Sequence, residues 1–452
     1  MTFVNILLGL VGLSLVVFFH ELGHFMMARL AGVEVEEFSL GWGPRLAGFR
    51  HGTTEYRLSA LPIGGYCRMK GEDSYRKAIE QGLDDFPKEP GSYFGASPVR
   101  RILIALGGPL MNVAFAIVVF AAVFAIGYDV ETWGNRIVLA SELSGQRYPA
   151  DEAGLRSGDA IVAIDGRSVS SFAEIQEAFA LSAGRTMELA IERSGSRLDV
   201  QVVPNLDKES GAGKVGVYAW IDTTVESVLP DSPASLAGLK PGDILLSAGD
   251  RSFAHTAALY DYLAQRRPER IGITFSRGNE IFTESFILVF DQAGNTDLGI
   301  RWKRLRFQVR ASGPLDAVVR GWQETSKTIA ATFRGIASLF RGVNILKAVS
   351  GPARITWMVG QVASDGFSTG MASGFVVSFN FLAILSIGLF AMNLLPIPIL
   401  DGGWIVLFII EAIRCKAAKV KTVLRYQTIG LVAIAALFLL TTVGDILFFS
   451  GR

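Results

Sequence analysis

The sequence predicts a polytopic α-helical membrane protein: four transmembrane helices, two small mixed α/β domains between the second and third of them, and a membrane-associated β-hairpin. Three observations predict it. Half of the 452 residues are hydrophobic, many for a soluble chain and few for one wholly in lipid, and four stretches are apolar over the roughly 20 residues a helix needs to cross a bilayer. A nine-residue pattern recurs at an offset of 84 residues in the central region, a period that signals two similar small domains rather than a solenoid. Between the first two apolar stretches, glycine pairs punctuate short alternating runs, the signature of paired strands.

The chain divides as follows. Residues 1–31 form the first span, 32–101 the hairpin loop, 102–128 the second span, 129–215 and 216–310 the two repeats. Residues 311–370 are amphipathic helices, 371–403 the third span, 404–422 a loop and 423–449 the fourth span. The first stretch lacks the basic n-region and small-residue cleavage site of a signal peptide, so it stays as a span. Arg45, Arg50, Arg57, Arg68, Lys70, Arg76, Lys77, Arg100 and Arg101 crowd the first loop, and Arg414, Lys416, Lys419, Lys421 and Arg425 the last. By the positive-inside rule both loops are cytoplasmic, and the termini and repeats face the other side. With a net charge of +1 nothing points to nucleic acid as a partner, and two cysteines, Cys67 and Cys415, do not suggest a disulfide framework.

Within the first span stands His20-Glu21-Leu22-Gly23-His24. Residues four apart share a helix face, so both imidazoles reach one ion. H-E-x-x-H is a zinc protease signature, with Glu21 as general base acting on a water held there. Two imidazoles and a carboxylate are costly to hold in lipid unless they serve a function.

The first loop reads as strands through Gly41-Trp42-Gly43-Pro44, Thr54 to Leu58 and Pro62-Ile63-Gly64-Gly65-Tyr66. Two readings stand: a plain cytoplasmic turn, or a hairpin dipping into the bilayer whose edge adds an extended substrate as a strand. In the second span, Gly107-Gly108-Pro109-Leu110-Met111-Asn112 offers small residues for close helix approach, and Asn112 reads as a packing residue against the first helix rather than a catalytic one.

The repeat is Ala153-Gly154-Leu155-Arg156-Ser157-Gly158-Asp159-Ala160-Ile161, returning as Ala237-Gly238-Leu239-Lys240-Pro241-Gly242-Asp243-Ile244-Leu245. The pattern resembles PDZ domains of the permuted bacterial kind, which bind extended peptides along a sheet edge and capture C-terminal carboxylates; two folded spacers without a ligand are the other reading. After it, Leu315, Val318, Val319, Trp322, Ile329, Phe333 and Ile336 recur at spacings of three and four, with Arg320, Lys327, Arg334 and Arg341 on the other side. This is one basic amphipathic helix or two, suited to a membrane surface or to bracing a neighbour.

A catalytic zinc takes three protein ligands. His51 and His255 suit ordinary surface roles, and His255 falls in the other compartment. Asn393-Leu394-Leu395-Pro396-Ile397-Pro398-Ile399-Leu400-Asp401-Gly402-Gly403 interrupts the third span with two prolines, and freed backbone at that depth must line a cavity or be covered by protein. The first and third spans run the same way, which puts Asp401 at the depth of His20 and His24. Glu411 and Asp445 lie deeper in the loop and near the opposite face, so Asp401 is taken as the third ligand. Asn393, two turns earlier, either points into the same cavity to hold a substrate carbonyl or oxyanion, or packs helices.

On these motifs the chain resembles the site-2 protease family of intramembrane zinc metalloproteases, in particular its bacterial sigma-E-regulating branch with four spans and tandem PDZ domains. The resemblance implies Zn2+ on His20, His24 and Asp401, Glu21 as catalytic base, and Asn393 as substrate-binding. It implies that the hairpin from Tyr56 to Met69, with Tyr56, Gly64, Gly65 and Tyr66, receives the substrate as an added strand. It further implies a multi-pass protein of the bacterial cytoplasmic (inner) membrane with periplasmic PDZ domains acting as a size filter. Its substrates would be single-span membrane proteins of the anti-sigma factor type, or remnant signal peptides, and its other partners the lipid bilayer and peptide C-termini at the PDZ domains. Trp404 and Arg354 depart from residues common in that family. The alternative is a non-proteolytic membrane scaffold that collects misfolded envelope proteins, but a structural zinc would need a fourth ligand; a transporter is disfavoured because four spans show no inverted repeat.

Overall fold

The computed structural model describes residues 3–292 and 294–450; residues 1 and 2, where the first span is expected to begin, lie outside them. The chain forms two compact units, Met1–Tyr128 with Val309–Arg452, and Asp129–Gln308.

In the first unit, helices Val4–Leu30, Pro98–Ile126, Met371–Asn393 and Val420–Ser450 are long and apolar enough to span a membrane. The first belongs to α1 (Phe3–Leu30). It leads into two long strands, β1 (Val35–His51) and β2 (Thr54–Met69), followed by the short helix α2 (Glu72–Glu80). The second span is α3 (Pro98–Ile126), which starts where the Ser97 side chain accepts the Arg100 N–H and proline fills the first turn. The α1–α3 crossing is close because glycine faces glycine: a Cβ on Gly23 would strike the Gly107 carbonyl.

The expected simple hairpin folds on itself. Residues 37–40 pair on one side with 55–58, residues 35–40 pair on the other with 65–69, and 45–51 pair with 54–59 on the far side. Trp42, Leu46, Phe49 and Leu61 remain 55, 68, 65 and 51% exposed, an apolar rim that water alone would not favour.

The expected third span and the loop after it also differ. The helix Met371–Asn393 stops eight residues before Asp401, and a second helix, Asp401–Arg414, occupies much of the segment expected as a loop. Pro396 and Pro398 cannot donate to a continuing helix, while Leu407 and Phe408 give the second helix a buried face. Helix Pro314–Leu339 is a single rod of 26 residues. It packs along α3, where a Cβ on Gly321 would meet backbone atoms of Ile117 and Ala121, and Phe333 meets Phe390 edge-on at 6.3 Å. It braces the spans. Between it and the third span lies a further helix, Pro352–Thr369, packed on α1 at Gly9 and Gly360.

The second unit holds two four-stranded antiparallel sheets of the same strand order. In the first copy Arg167–Ser168, Ala160–Ile164, Met187–Arg193 and Ser196–Val202 lie side by side; in the second the order is Arg251–Ser252, Ile244–Ala248, Arg270–Arg277 and Glu280–Ile287. Each buries one face under a helix, Phe172–Ala180 or Thr256–Arg266. Strand Val217–Ala219 pairs with Ile137–Leu139, so the first copy runs beyond the expected boundary at 215. His255 is not a surface residue: it is 6% exposed and accepts the Ala258 N–H at the N-terminus of its helix, where the first copy uses Ser171 for Glu174.

Candidate functional site

The helical repeat of α1 turns His20 and His24 to one side, with ring centroids 4.8 Å apart and Nε2 atoms 3.2 Å apart. The unwound Leu394–Leu400 segment returns the chain so that Asp401 opens the next helix against them. Asp401 Oδ2 lies 3.2 Å from His20 Nε2 and Oδ1 lies 3.5 Å from His24 Nε2. The three residues offer ligand atoms within 4.8 Å of one another, the one such group of His, Cys, Asp and Glu among the described residues.

These donors fit a cation. The His24 Nδ1 sits 2.8 Å from the Ile104 carbonyl, which only accepts, so Nδ1 carries the proton and Nε2 presents a lone pair. Asp401 Oδ2 is buried without a hydrogen-bond partner. The His24 Nε2 lone pair and the Asp401 carboxylate converge on one place, where they repel unless a proton or a positive ion sits among them. The backbone leaves room for one: a Cβ on Gly108 would collide with both imidazoles, His20 Nε2 at 2.8 Å and His24 Nε2 closer still. Two imidazoles and a carboxylate at one open position are the ligand chemistry of catalytic zinc.

Around them lies a cavity of about 520 Å³ lined by Glu21, Cys67, Glu72, Tyr75, Tyr93, Asn393, Ile399 and Trp404 among others. Glu21 faces it beside Gly65, where a Cβ would come within 3.6 Å of its Cγ, and the Cys67 N–H donates to its carboxylate. Burial, with Glu21 nearby, pushes the Cys67 thiol well above its ordinary range, so it is no nucleophile at neutral pH. On α2, burial pushes Glu72 up to about 7, and its carboxylate accepts the Met69 N–H at 3.3 Å. Ile399, a β-branched residue, is held at φ 85° two residues before Asp401, a strained conformation of the kind that gathers at functional sites.

The structure gathers His20, Glu21, His24, Asn393 and Asp401, with Asn393 Nδ2 3.3 Å from His20 Nε2. Gly64, Gly65 and Tyr66 lie on the outer segment of β2 that passes Glu21. Tyr56 does not: its segment is paired on both sides, with Phe38 and with Phe49, which leaves no free edge for an added strand, and its ring stacks on Phe49 at 5.0 Å. The two competing carboxylates are otherwise engaged. Glu411 pairs with the Arg101 guanidinium at 2.7 Å and accepts the Ala418 N–H. Asp445 accepts the Gly351 and Arg354 N–H groups at 2.9 and 3.0 Å, capping the Pro352–Thr369 helix from outside. Trp404 stacks on Phe408 at 5.5 Å, and the Arg354 guanidinium lies 4.4 Å from the Phe448 ring. The sequence assigns no role at the site to Gly108 or Ile104 and favours packing against the first helix for Asn112, whose Nδ2 lies 3.1 Å from His20 Nδ1. The available signal was periodic: 104, 108 and 112 lie on one face of α3.

A family profile described as Peptidase family M50 matches residues 8–437. The chain is similar to proteins named "Putative zinc metalloprotease" in several bacteria. One from Treponema pallidum (strain Nichols) is 38% identical over 98% of this chain and 99% of its own length. One from Borreliella burgdorferi is 31% identical over 94% of each, and one from Neisseria meningitidis serogroup A is 29% identical over 91% of each. Among solved structures, the PDZ domain of an SdrC-like protein from Listeria monocytogenes matches 19% of this chain and 90% of its own, at 22% identity and a TM-score of 0.17.

Proposed function

The chain belongs to peptidase family M50 and is a zinc metalloprotease of membranes, and from that premise we propose that it hydrolyses peptide bonds inside the transmembrane helices of single-span substrates. The observation that carries this reading is the convergence of His20, His24 and Asp401, with Glu21 lining the same cavity, on helices of membrane-spanning length.

His20, His24 and Asp401 hold the zinc. When bound, zinc supplies a Lewis acid that acidifies water and polarises the scissile carbonyl. Glu21 takes the proton released in the attack and passes it to the leaving amine, as a carboxylate one residue from a ligand is placed to do. Asn393, beside His20, donates its amide N–H to the substrate carbonyl and to the oxyanion that develops there.

A substrate helix hides its carbonyls in i to i−4 hydrogen bonds and must unwind before attack. The β2 segment Gly65–Met69 has a partner on one side only among the described residues; its other edge, passing Glu21, receives the unwound segment as an added strand. The glycines at 64 and 65 let that segment pass close to Val17 and Glu21 of α1 and to the Ser39 carbonyl, and the apolar rim of Trp42, Leu46, Phe49 and Leu61 seats the sheet in lipid. Basic loops on the side of α2 support a cytoplasmic-facing site in the bacterial inner membrane, with the two repeats as periplasmic PDZ domains that filter substrates by size and receive peptide C-termini. Substrates of the anti-sigma factor type, already trimmed outside, and remnant signal peptides suit such a filter, in regulated intramembrane proteolysis.

The test is Glu21→Gln in the full chain, reconstituted in vesicles with a tagged single-span substrate. Zinc content is expected to stay near one per chain while cleavage falls at least about 1,000-fold. Cleavage at the wild-type rate would sink the reading.

A further inference from the structure

We infer that Asn112 is a positioning residue that sets the tautomer of His20 and thereby makes its Nε2 available to the metal. The inference rests on the metal reading above and concerns a residue the mechanism does not otherwise use.

The two imidazoles meet different partners behind the site. Behind His24 stands the Ile104 carbonyl at 2.8 Å. It can only accept, so it fixes the proton on Nδ1 without ambiguity. Behind His20 stands a carboxamide, with Asn112 Nδ2 3.1 Å from Nδ1. A carboxamide presents either a donor or an acceptor according to which way it is turned, and the two orientations have the same shape. With the amide N–H turned to His20, Nδ1 holds the lone pair, the proton moves to Nε2, and Nε2 faces Asp401 as a donor. With Oδ1 turned to His20, Nδ1–H donates to it and Nε2 is free to ligate. Asn112 is thus a two-way switch set at one ligand, whereas Ile104 is fixed at the other.

Three observations bind Asn112 to this role rather than to general helix packing. It is fully buried, at 0% exposure. Its Nδ2 faces the ring while its Oδ1 has no hydrogen-bond partner; turning the amide exchanges the two and leaves one group unpartnered either way, so the ring and the ion it binds decide the orientation. Its backbone is held in place, since its carbonyl accepts the Ser386 hydroxyl at 3.1 Å, and it follows Gly108 by one turn on the face of α3 that meets both imidazoles. Partners that fix ligand tautomers typically govern metal affinity by about 10–100-fold.

The experiment measures zinc affinity of the purified full-length protein in detergent by chelator competition, and the visible spectrum of the cobalt-substituted protein. Asn112→Leu keeps the volume and removes the acceptor; zinc should bind about 10–100-fold more weakly, with an altered cobalt spectrum. Asn112→Asp keeps an acceptor and should restore both. Wild-type affinity in Asn112→Leu overturns the inference, as does an Asn112→Asp protein as weak as Asn112→Leu, which would mark a packing role. Should Asn112→Leu fail to fold, Asn112→Ser against Asn112→Ala makes the same comparison with a smaller acceptor, and equal affinities overturn the inference. A wild-type protein that binds no zinc would instead bring down the metal reading itself.

Discussion

The two units of this protein bury aspartates in opposite ways. In the repeat unit, Asp159 and Asp243 are almost fully buried, and each is matched by an arginine. Arg193 Nε meets Asp159 at 2.7 Å and Arg277 Nη2 meets Asp243 at 2.7 Å. Each arginine also donates to the carbonyl of the glycine in the repeated motif, Gly154 or Gly238, and each aspartate accepts a backbone N–H, from Arg156 or Lys240. In the membrane unit, Asp401 has an oxygen without a hydrogen-bond partner and faces two imidazole nitrogens. A buried carboxylate matched by a guanidinium and backbone N–H groups holds a loop; one that faces two imidazole nitrogens with an oxygen to spare has the chemistry of a cation ligand. The same residue type, fully buried in one unit and 19% exposed in the other, is structural in the first and chemical in the second because of its partners.

The comparison is sharpened most by Asp401→Asn. It should remove stoichiometric zinc and lower cleavage by at least about 1,000-fold while leaving the repeat unit's unfolding transition in place; full zinc content in metal analysis would refute the ligand assignment. Gly108→Ala comes next. Its methyl falls on both imidazoles, so zinc affinity should drop about 100-fold with little change in far-ultraviolet circular dichroism, and an unchanged affinity would mean the helices have room the structure does not show.

Asp243→Asn tests the other side. Removing one partner of a buried pair costs about 3–5 kcal/mol, nearer 3 here because the Arg277 side chain is 33% exposed. Thermal unfolding of the full chain should show the loss in the repeat unit, with zinc affinity untouched. Asp159→Asn should cost a similar amount, and clearly unequal losses would break the equivalence of the two copies.

The smallest effect is on pH. Burial raises the Asp243 pKa, but the Arg277 guanidinium and the Lys240 N–H outweigh it and hold the carboxyl below its ordinary range. A depressed folded-state pKa contributes stability that is complete above the unfolded value of about 3.9 and is lost as pH falls below it. The buried His255, whose pKa burial lowers, should already cost the repeat unit some melting temperature as pH falls below about 6.5, and a further decline should set in below about pH 4; Asp243→Asn should blunt only that second decline. A decline of equal size in the variant would assign it to other groups.

Much of this was legible in the chain. Apolar length marks spans, the spacing of four joins His20 to His24, and the offset of 84 pairs Asp159 with Asp243. The same offset pairs Ser171 with His255, which explains a histidine that sequence reasoning took for a surface residue. Asp401, 377 residues after His24, was reachable through orientation, since loop charge sets depth. Depth does not say which side chains touch. Tyr56 was misplaced because alternation reveals strands but not that β1 and β2 each pair twice, and the Asp401–Arg414 helix was missed because its charged neighbours look like a loop.

The sequence by itself determined the four long apolar helices, the helical zinc motif and the duplicated sheets, because each depends on local periodicity or apolar length. Only the tertiary structure decided what stands behind the ligands: the Ile104 carbonyl on one imidazole, Asn112 on the other, and the bare face of Gly108 between them. Those contacts depend on how α1 and α3 cross, a relation between two helices some eighty residues apart that no periodicity within either one encodes.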